Sequence, residues 1–248
     1  MVIACGIKLL KLLNMTNKKI VILPCAGHGS RFGNTTPKQY TLINGKTILE
    51  HTLNVFLPLT QIDQIIIITA PNDQYIDNLF STQLSNLTNH TKIQILKTGG
   101  PTRAQTVKNV VGTLDCKSND WLLVHDVARC CITAGAVLRQ ISELENDAVG
   151  GILAIGAADT IKQSKNGQVI DETLDRSTIY QAQTPQMFRA HILKDALNCT
   201  NIDLITDDAS AVEQTGRSVK LVEGERENIK ITYPVDIRLA EIILSRRP

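Results

Sequence analysis

The chain has almost no excess charge of either sign: 26 Lys+Arg stand against 24 Asp+Glu over 248 residues, a formal net charge of +2. That balance gives no bulk basic field of the kind that holds DNA or RNA, so no nucleic-acid partner is expected. Any anion site has to come from local placement of charge. Long apolar runs are lacking as well. The N-terminal stretch MVIACGIKLLKLLNMTNKK is too short in its apolar part to span a bilayer, and Lys8 and Lys11 interrupt it. No membrane partner is expected. The stretch also lacks a small-residue cleavage site after a proper apolar region. Residues 1–18 are therefore expected to be an extension, disordered or arising from an upstream start, with Met15 as the functional start. The cysteines Cys5, Cys25, Cys116, Cys130, Cys131 and Cys199 form no C-x-x-C pair, and no histidine stands at metal-ligand spacing from them. A chain of this length can bury a full core without staples, so reduced thiols and a cytoplasmic location are expected. Internal repeats and low-complexity segments are absent.

What is present is an ordinary globular composition, 43% hydrophobic and 20% charged, arranged as apolar runs of strand length alternating with helix-like segments. Strands are expected at Lys19–Leu23, Gln64–Thr69, Lys92–Lys97, Trp121–His125 and Gly151–Ile155. Between them lie helical patterns over Thr47–Leu57, Asp73–Leu84, Thr102–Leu114 and Thr133–Glu145, the last with Thr133 as its cap. Repeated β-α-β implies a doubly wound, mostly parallel α/β sheet. From about residue 157 to 183 the rhythm breaks. Asn166-Gly167 stands between two alternating segments, a hairpin signal, and the region is expected to leave the domain as an arm. Beyond it, helices are expected over Arg189–Leu197, Asp207–Gln214 and Pro234–Ser245, with strands at Val219–Val222 and Asn228–Thr232. Residues 19–248 are expected to be a single domain.

In such sheets ligands bind beyond the carboxyl ends of the strands, and three motifs fall there. LPCAGHGSRFGNTTPKQY follows the first strand. Its glycines Gly27, Gly29 and Gly33 let the backbone approach a phosphate chain closely. The spacing is not G-x-G-x-x-G, and Thr69 and Ala70 stand where a dinucleotide site would place a ribose-binding acid. Gly45-Lys46-Thr47 suggests a P-loop ending, but Tyr40 occupies the position of its first glycine. What remains is a glycine loop carrying two cations, Arg31 and Lys38, suited to a triphosphate or, in the plainer reading, a surface turn with solvated charges. GGPTRAQTV, Gly99 to Val107, is a second glycine turn opening a helix, with Arg103 and Thr106 in its first turns. VHDVARCC, Val124 to Cys131, sets Asp126 and Arg129 at a strand end, as a salt bridge or as ligand contacts. TDDASAVE starts a helix with Thr206 and Asp207 at its cap, which capping alone could explain. Lys230 lies inside an apolar run, costly unless it snorkels or meets an anion. His125 has no Ser or Cys partner at a recognisable spacing and reads as packing or hydrogen bonding.

Together, PCAGHGSRFG…PKQY, GG-x-x-R-x-x-T-V, VHD-x-AR, DTIK, LDR…QTPQ-x-F, TDDAS and VEG…NIKIT resemble, in order from about Lys19 to the end, the 2-C-methyl-D-erythritol 4-phosphate cytidylyltransferases of non-mevalonate isoprenoid precursor synthesis. The resemblance implies a transferase that joins CTP to a sugar-alcohol phosphate and releases pyrophosphate, with Mg²⁺ bound mainly through the CTP phosphates and no protein metal cage. It implies that Pro24, Cys25, Ala26, Gly27 and Gly29 surround the triphosphate, and that Gly99, Gly100 and Thr106 recognise the base and ribose. Arg31 and Lys38, with Lys230, match the cations at the reacting α-phosphate. Asp126 and Arg129 match substrate contacts, with Val127 close to the nucleotide. Thr206, Asp207 and Lys230 match the end of the site nearest methylerythritol phosphate. Thr160, Arg176 and Thr184 lie in or beside the arm, which in the family swaps across a homodimer. Four residues depart from the family pattern: Val127 for Ala, Cys130 for Pro, Pro101 for Asp and Cys25 for Ala. A sister enzyme using ribitol 5-phosphate, a non-catalytic nucleotide-binding scaffold and a dehydrogenase are the competing readings. Retained Arg31, Lys38, Asp126 and Lys230 argue against the scaffold, and the glycine spacing argues against the dehydrogenase.

Overall fold

A computed structural model describes residues 17–27, 36–88 and 90–247. Its strands and helices follow from which residues can be covered on both sides. β1, Lys19–Pro24, is buried at Ile20, Val21, Ile22 and Leu23. A pleated strand sends successive side chains to opposite faces, so a continuous apolar run is stable only if both faces are covered. They are: Val21 and Leu23 join one core cluster, and Ile20 and Ile22 join the other. β4 (Gln64–Ile68) divides in the same way, Ile65 and Ile67 against Ile66 and Ile68. Burying one such side chain is worth about 1.5–3 kcal/mol.

The other strands of the main sheet are β5 (Ile93–Leu96), β6 (Trp121–Val124), β7 (Gly150–Gly156), β10 (Tyr180–Arg189) and β11 (Lys220–Glu223). The seven strands run in the order β11-β7-β10-β6-β1-β4-β5. Pairs β1–β4, β1–β6, β4–β5 and β7–β11 are parallel, while β10 is antiparallel to both β6 and β7. The mixed, mostly parallel α/β sheet agrees with the expected fold class. Leu49, Leu53 and Phe56 of α1 (Ile48–Phe56) and Val137 and Ile141 of α4 (Ala134–Leu144) cover one face, with α2 (Tyr75–Ser81) and α7 (Val235–Ser245). Val107, Val110 and Val111 of α3 (Arg103–Thr113) and Leu193 and Leu197 of α5 (Ala190–Cys199) cover the other, with α6 (Asp208–Glu213). Three of these helices start at threonine caps whose hydroxyls accept a backbone N–H in the first turn: Thr47 for α1, Thr102 for α3 and Thr133 for α4. Thr133 plays the part read from the sequence.

Two small hairpins stand apart from the sheet. β2 (Leu42–Ile43) and β3 (Lys46–Thr47) are joined by Asn44-Gly45, with φ of 48° and 81°. Positive φ at both turn residues is what a tight hairpin needs and what Asn-Gly tolerates, so Gly45 belongs to a turn and not to a phosphate loop. β8 (Ile161–Gln163) pairs with β9 (Glu172–Leu174), a hairpin in the region where one was expected. Its tip is longer than a two-residue turn and is organised by Asn166 Oδ1, which accepts from the amides of Gln168 and Val169.

Two expectations are corrected. Asn228–Thr232 is not a strand: it crosses the strand ends, with the Ile231 amide donating to the carbonyl of Ala128 at 2.8 Å. Its Ile231 is buried in the same core cluster as Val21, Leu23 and the α7 residues Ala240 and Ile243 without being part of a strand. The arm ends earlier than residue 183, because β10 begins at Tyr180 and enters the centre of the sheet. Pro185 hides this strand from the sequence, since proline cannot donate to a ladder. It is accommodated at a register shift between Ala182 and Gln186. The proposed extension over residues 1–18 lies almost wholly outside the described residues. Lys18 is described, its amide donating to Asp120 Oδ1 at 2.8 Å.

Candidate active site

The carboxyl ends of β1 and β6 open onto a cleft of about 190 Å³. Pro24, Cys25, Ala26 and Gly27 form one wall, Gly100 to Arg103 and Thr106 a second, and Asp126 to Ala128 the floor; Lys38 and Lys230 stand at its edge. These stretches are far apart in sequence and were separate motifs there. The sheet brings them together because each follows a strand at the same edge.

The first loop leaves β1 under restraint. The Cys25 amide donates to the Ile68 carbonyl at 2.7 Å, and the Gln39 side chain donates to the Cys25 carbonyl at 2.6 Å. The Cys25 thiol is buried, and burial pushes its pKa above the ordinary range. It is an inert packing group, not a nucleophile. Lys38 follows Pro37 on a short 3-10 turn, and its Nζ donates to the Ile231 carbonyl at 2.6 Å. Arg31 and Gly29 lie outside the described residues.

The second wall is set by a side chain. The Thr106 hydroxyl accepts from the Gly100 amide at 3.0 Å and donates to the Thr102 carbonyl at 2.9 Å, fixing the glycine turn onto the start of α3. Gly99 sits beside the first loop, its amide donating to the Thr69 carbonyl at 2.9 Å. A methyl group at Gly99 would lie 2.3 Å from the Ala26 Cβ and 2.8 Å from the Thr69 carbonyl oxygen, so only glycine permits this approach.

The floor is electrostatic. Asp126 Oδ1 accepts from Arg103 Nε at 2.7 Å, and Asp126 Oδ2 meets Lys230 Nζ at 2.7 Å. The other arm of the Arg103 fork meets Asp208 Oδ2 at 2.8 Å. Burial alone would push the Asp126 pKa up, but the Arg103 and Lys230 charges outweigh it and hold the carboxyl well below the usual range. Lys230 thus meets the requirement for a lysine in an apolar run: its charge faces an anion. Arg129 points away from the cleft, donating to the carbonyls of Asn228 at 2.8 Å and Ala182 at 3.1 Å. The Thr184 hydroxyl accepts from the Asp126 amide at 3.0 Å and lies 3.0 Å from His125 Nδ1. His125 is fully buried with its ring edge against Phe56, and burial lowers its pKa to about 3. It stays neutral and serves both packing and hydrogen bonding, the two roles read for it.

Other residues singled out in the sequence lie elsewhere. Asp207 caps α6: its Oδ1 accepts from the Ser210 amide at 2.8 Å and its Oδ2 from Gln186 Nε2 at 2.7 Å. Thr206 is exposed beside it. Thr160 and Arg176 are exposed on the arm, where Arg176 donates to the Ala158 carbonyl at 2.7 Å. Neither lines the cleft of its own chain. Val127 and Pro101 do line it. Arg103, Asp208 and Gln39 were not among the candidate site residues. Arg103 stood in a quoted motif, and the glycine turn before it was the available signal. Among the described residues, no group of three His, Cys, Asp or Glu side chains converges as a metal site, and none of the helices is long and apolar enough to cross a membrane.

A mixed α/β sheet whose strand ends carry a glycine-walled, cation-edged cleft defines a nucleotide- or phosphate-handling α/β protein. The family model for 2-C-methyl-D-erythritol 4-phosphate cytidylyltransferase matches residues 19–246. The enzyme of that name from Chromobacterium violaceum is 43% identical over 228 residues, 92% of this chain and 98% of the relative. The crystal structure of a 4-diphosphocytidyl-2C-methyl-D-erythritol synthase superposes with a TM-score of 0.79 at 38% identity, over 93% of this chain and 100% of the other. The Francisella tularensis cytidylyltransferase gives 0.74 at 36% identity, over 91% and 99%. The chain belongs to the 2-C-methyl-D-erythritol 4-phosphate cytidylyltransferase family.

Proposed function

We propose that the chain transfers the cytidylyl group of CTP to 2-C-methyl-D-erythritol 4-phosphate, forming 4-diphosphocytidyl-2-C-methyl-D-erythritol and pyrophosphate for isoprenoid precursor synthesis. The observation that carries this is the convergence of Lys38 and Lys230, distant in sequence, at the mouth of one glycine-walled cleft. The attacking group is a phosphate monoester with a second pKa of about 6, largely dianionic at neutral pH, so the reaction needs no general base. That accords with His125, the histidine beside the site among the described residues, being buried and neutral. The difficulty is bringing one anion onto another. Lys38, Lys230 and Arg31 offset negative charge at the α-phosphorus and orient an in-line attack. Pro24 to Gly27, Gly29, Gly99, Gly100, Thr106 and Val127 shape the nucleotide end. Asp126 belongs to the sugar-phosphate end, with Thr184 supporting it; Arg129, Thr206 and Asp207, which do not line the cleft, would have to reorient to reach a substrate there.

The donor set does not suit a resident magnesium ion. Asp126 is the only acid on the cleft wall among the described residues, and each of its oxygens already meets a cation at 2.7 Å. Magnesium would enter with the triphosphate as part of the substrate, held by phosphate oxygens and water.

We further propose a cytoplasmic homodimer in which the arm reaches the partner's cleft and brings Thr160 and Arg176 to it. The exposed arm, with Val169 64% and Ile170 58% exposed near its tip, supports this reading. Mixing Lys38→Ala with Arg176→Ala subunits, each impaired alone, should recover activity in mixed dimers. Recovery absent at every ratio would rule out exchange. The test of the activity is pyrophosphate release from CTP and Mg²⁺ with 2-C-methyl-D-erythritol 4-phosphate and D-ribitol 5-phosphate side by side. Release with the first is expected. Preference for ribitol 5-phosphate would move the substrate assignment, and release with neither would overturn the activity.

A further inference from the structure

Four charged side chains of alternating sign run from the protein interior to the cleft: Asp208, Arg103, Asp126 and Lys230. Their side chains are 1%, 27%, 10% and 48% exposed along that path. The contacts are 2.8 Å from Asp208 Oδ2 to Arg103, 2.7 Å from Arg103 Nε to Asp126 Oδ1, and 2.7 Å from Asp126 Oδ2 to Lys230 Nζ. Asp208 lies outside the cleft and touches nothing that reacts. Its Oδ1 is buried with no hydrogen-bond partner among the described residues.

A buried carboxylate with one oxygen unsatisfied is a poor way to stabilise a fold, because desolvation opposes the gain from pairing. Arg103 is better suited to geometry. Its planar fork holds two carboxylates at fixed relative positions, as a lysine could not. One arm is anchored on α6 and the other sets the Asp126 carboxylate, which meets the Lys230 ammonium on its opposite oxygen. We propose that Arg103 and Asp208 are positioning residues: Asp208 anchors Arg103, and Arg103 fixes the carboxylate that holds Lys230 at the mouth of the cleft. The inference rests on reading the cleft as the site of cytidylyl transfer, and assigns to that reaction two residues that do not react. Burial opposes the charge on Arg103, but the Asp208 and Asp126 carboxylates outweigh it and keep the guanidinium charged, while burial raises the pKa of Asp208 itself.

The test is a double-mutant cycle on the full chain, measuring kcat and KM for CTP and for 2-C-methyl-D-erythritol 4-phosphate in the wild type, Asp208→Asn, Lys230→Ala and the double variant. Misplacement of a reacting group by about 1 Å costs on the order of a hundredfold. Asp208→Asn is therefore expected to lower kcat by about tenfold to a hundredfold, with the KM for CTP within about twofold. With Lys230 already gone, the same change should add less than about threefold. A merely structural tie between α3 and α6 would cost the same factor in both backgrounds. Equal losses, or a kcat within about twofold of wild type in Asp208→Asn, would overturn the proposal. If Asp208→Asn does not fold, Arg103→Lys takes its place: the charge remains but the fork is lost, and the same non-additivity with Lys230→Ala is expected. A wild type silent with both sugar phosphates would overturn the reading of the cleft and the relay with it. An active wild type with additive losses would overturn the relay alone.

Discussion

Gly99→Ala probes the nucleotide end of the cleft with one methyl group. The added carbon would lie 2.3 Å from the Ala26 Cβ, 2.8 Å from the Thr69 carbonyl oxygen and 3.1 Å from its carbon. Carbon atoms rest at about 3.5–4.0 Å, so the two loops must part by more than about 1 Å. Two of the three obstacles are backbone, which cannot swing aside as the end of a flexible side chain can. Strain of this kind costs about 1–3 kcal/mol, lowering the melting temperature by about 2–4 °C for each kcal/mol in a chain of this size. Activity should suffer more. Ala26 lines the cleft, and a shift of about 1 Å there is expected to lower kcat/KM for CTP by about a hundredfold. The assay is pyrophosphate release across a CTP titration, paired with thermal unfolding. Two further variants sharpen it. Gly112→Ala, near the end of α3 with nothing within 4 Å of the added carbon, should leave turnover unchanged and stabilise by up to about 1 kcal/mol. Ala26→Gly combined with Gly99→Ala removes the closest collision and should restore part of the activity. A Gly99→Ala protein with kcat/KM for CTP within about threefold of wild type would refute the reasoning.

Lys38→Ala is expected to lower kcat by about a hundredfold or more while shifting the melting temperature little, the mark of a cation stabilising the reacting phosphate; kinetics and calorimetry on one preparation check both halves. The pKa of His125 falls from 6.5 to about 3 on folding, so the unfolded chain takes up a proton that the folded chain refuses. Stability should hold above pH 6.5 and fall below it, by up to about 1.4 kcal/mol per pH unit, until about pH 3. Denaturant titrations at several pH values should show that slope, reduced by one proton in His125→Gln. Arg189 donates to the carbonyls of Asp147, Asn119 and Glu145 and stacks 3.8 Å from the Trp121 ring centre. Arg189→Met should cost about 3 kcal/mol of stability by leaving those carbonyls unpaired, with the KM values of the surviving folded protein unchanged.

The centre of the sheet was legible because double-sided burial forces unbroken apolar runs, and β1, β4 and β6 have no other interpretation. The cleft was legible where glycines and charges follow those runs, so Lys38, Asp126 and Lys230 were found one motif at a time. Pairing was not legible. Nothing in the spacing of Arg103 and Asp208, 105 residues apart, announces that they meet, since contact at that separation is decided by how α3 and α6 each pack with α5. β10 failed for a local reason: Pro185 forbids a regular ladder, and only the register shift between β10 and β7 makes room for it. Asn228–Thr232 failed for the opposite reason. Its alternation is that of a strand, but Ile231 is buried in the core cluster and its amide is met by the Ala128 carbonyl, so no partner strand is needed.

β10 also imposes an order on the chain's synthesis. It lies between β6 and β7, both of which leave the ribosome before it. Until Arg189 has emerged, each of those strands shows a bare hydrogen-bonding edge where its neighbour will later insert. Such edges pair readily with other chains, and elongation at about 5–20 residues per second leaves them bare for seconds. The nascent protein is therefore expected to need chaperone cover during that interval, and fragments ending before Tyr180 should aggregate where the full chain folds.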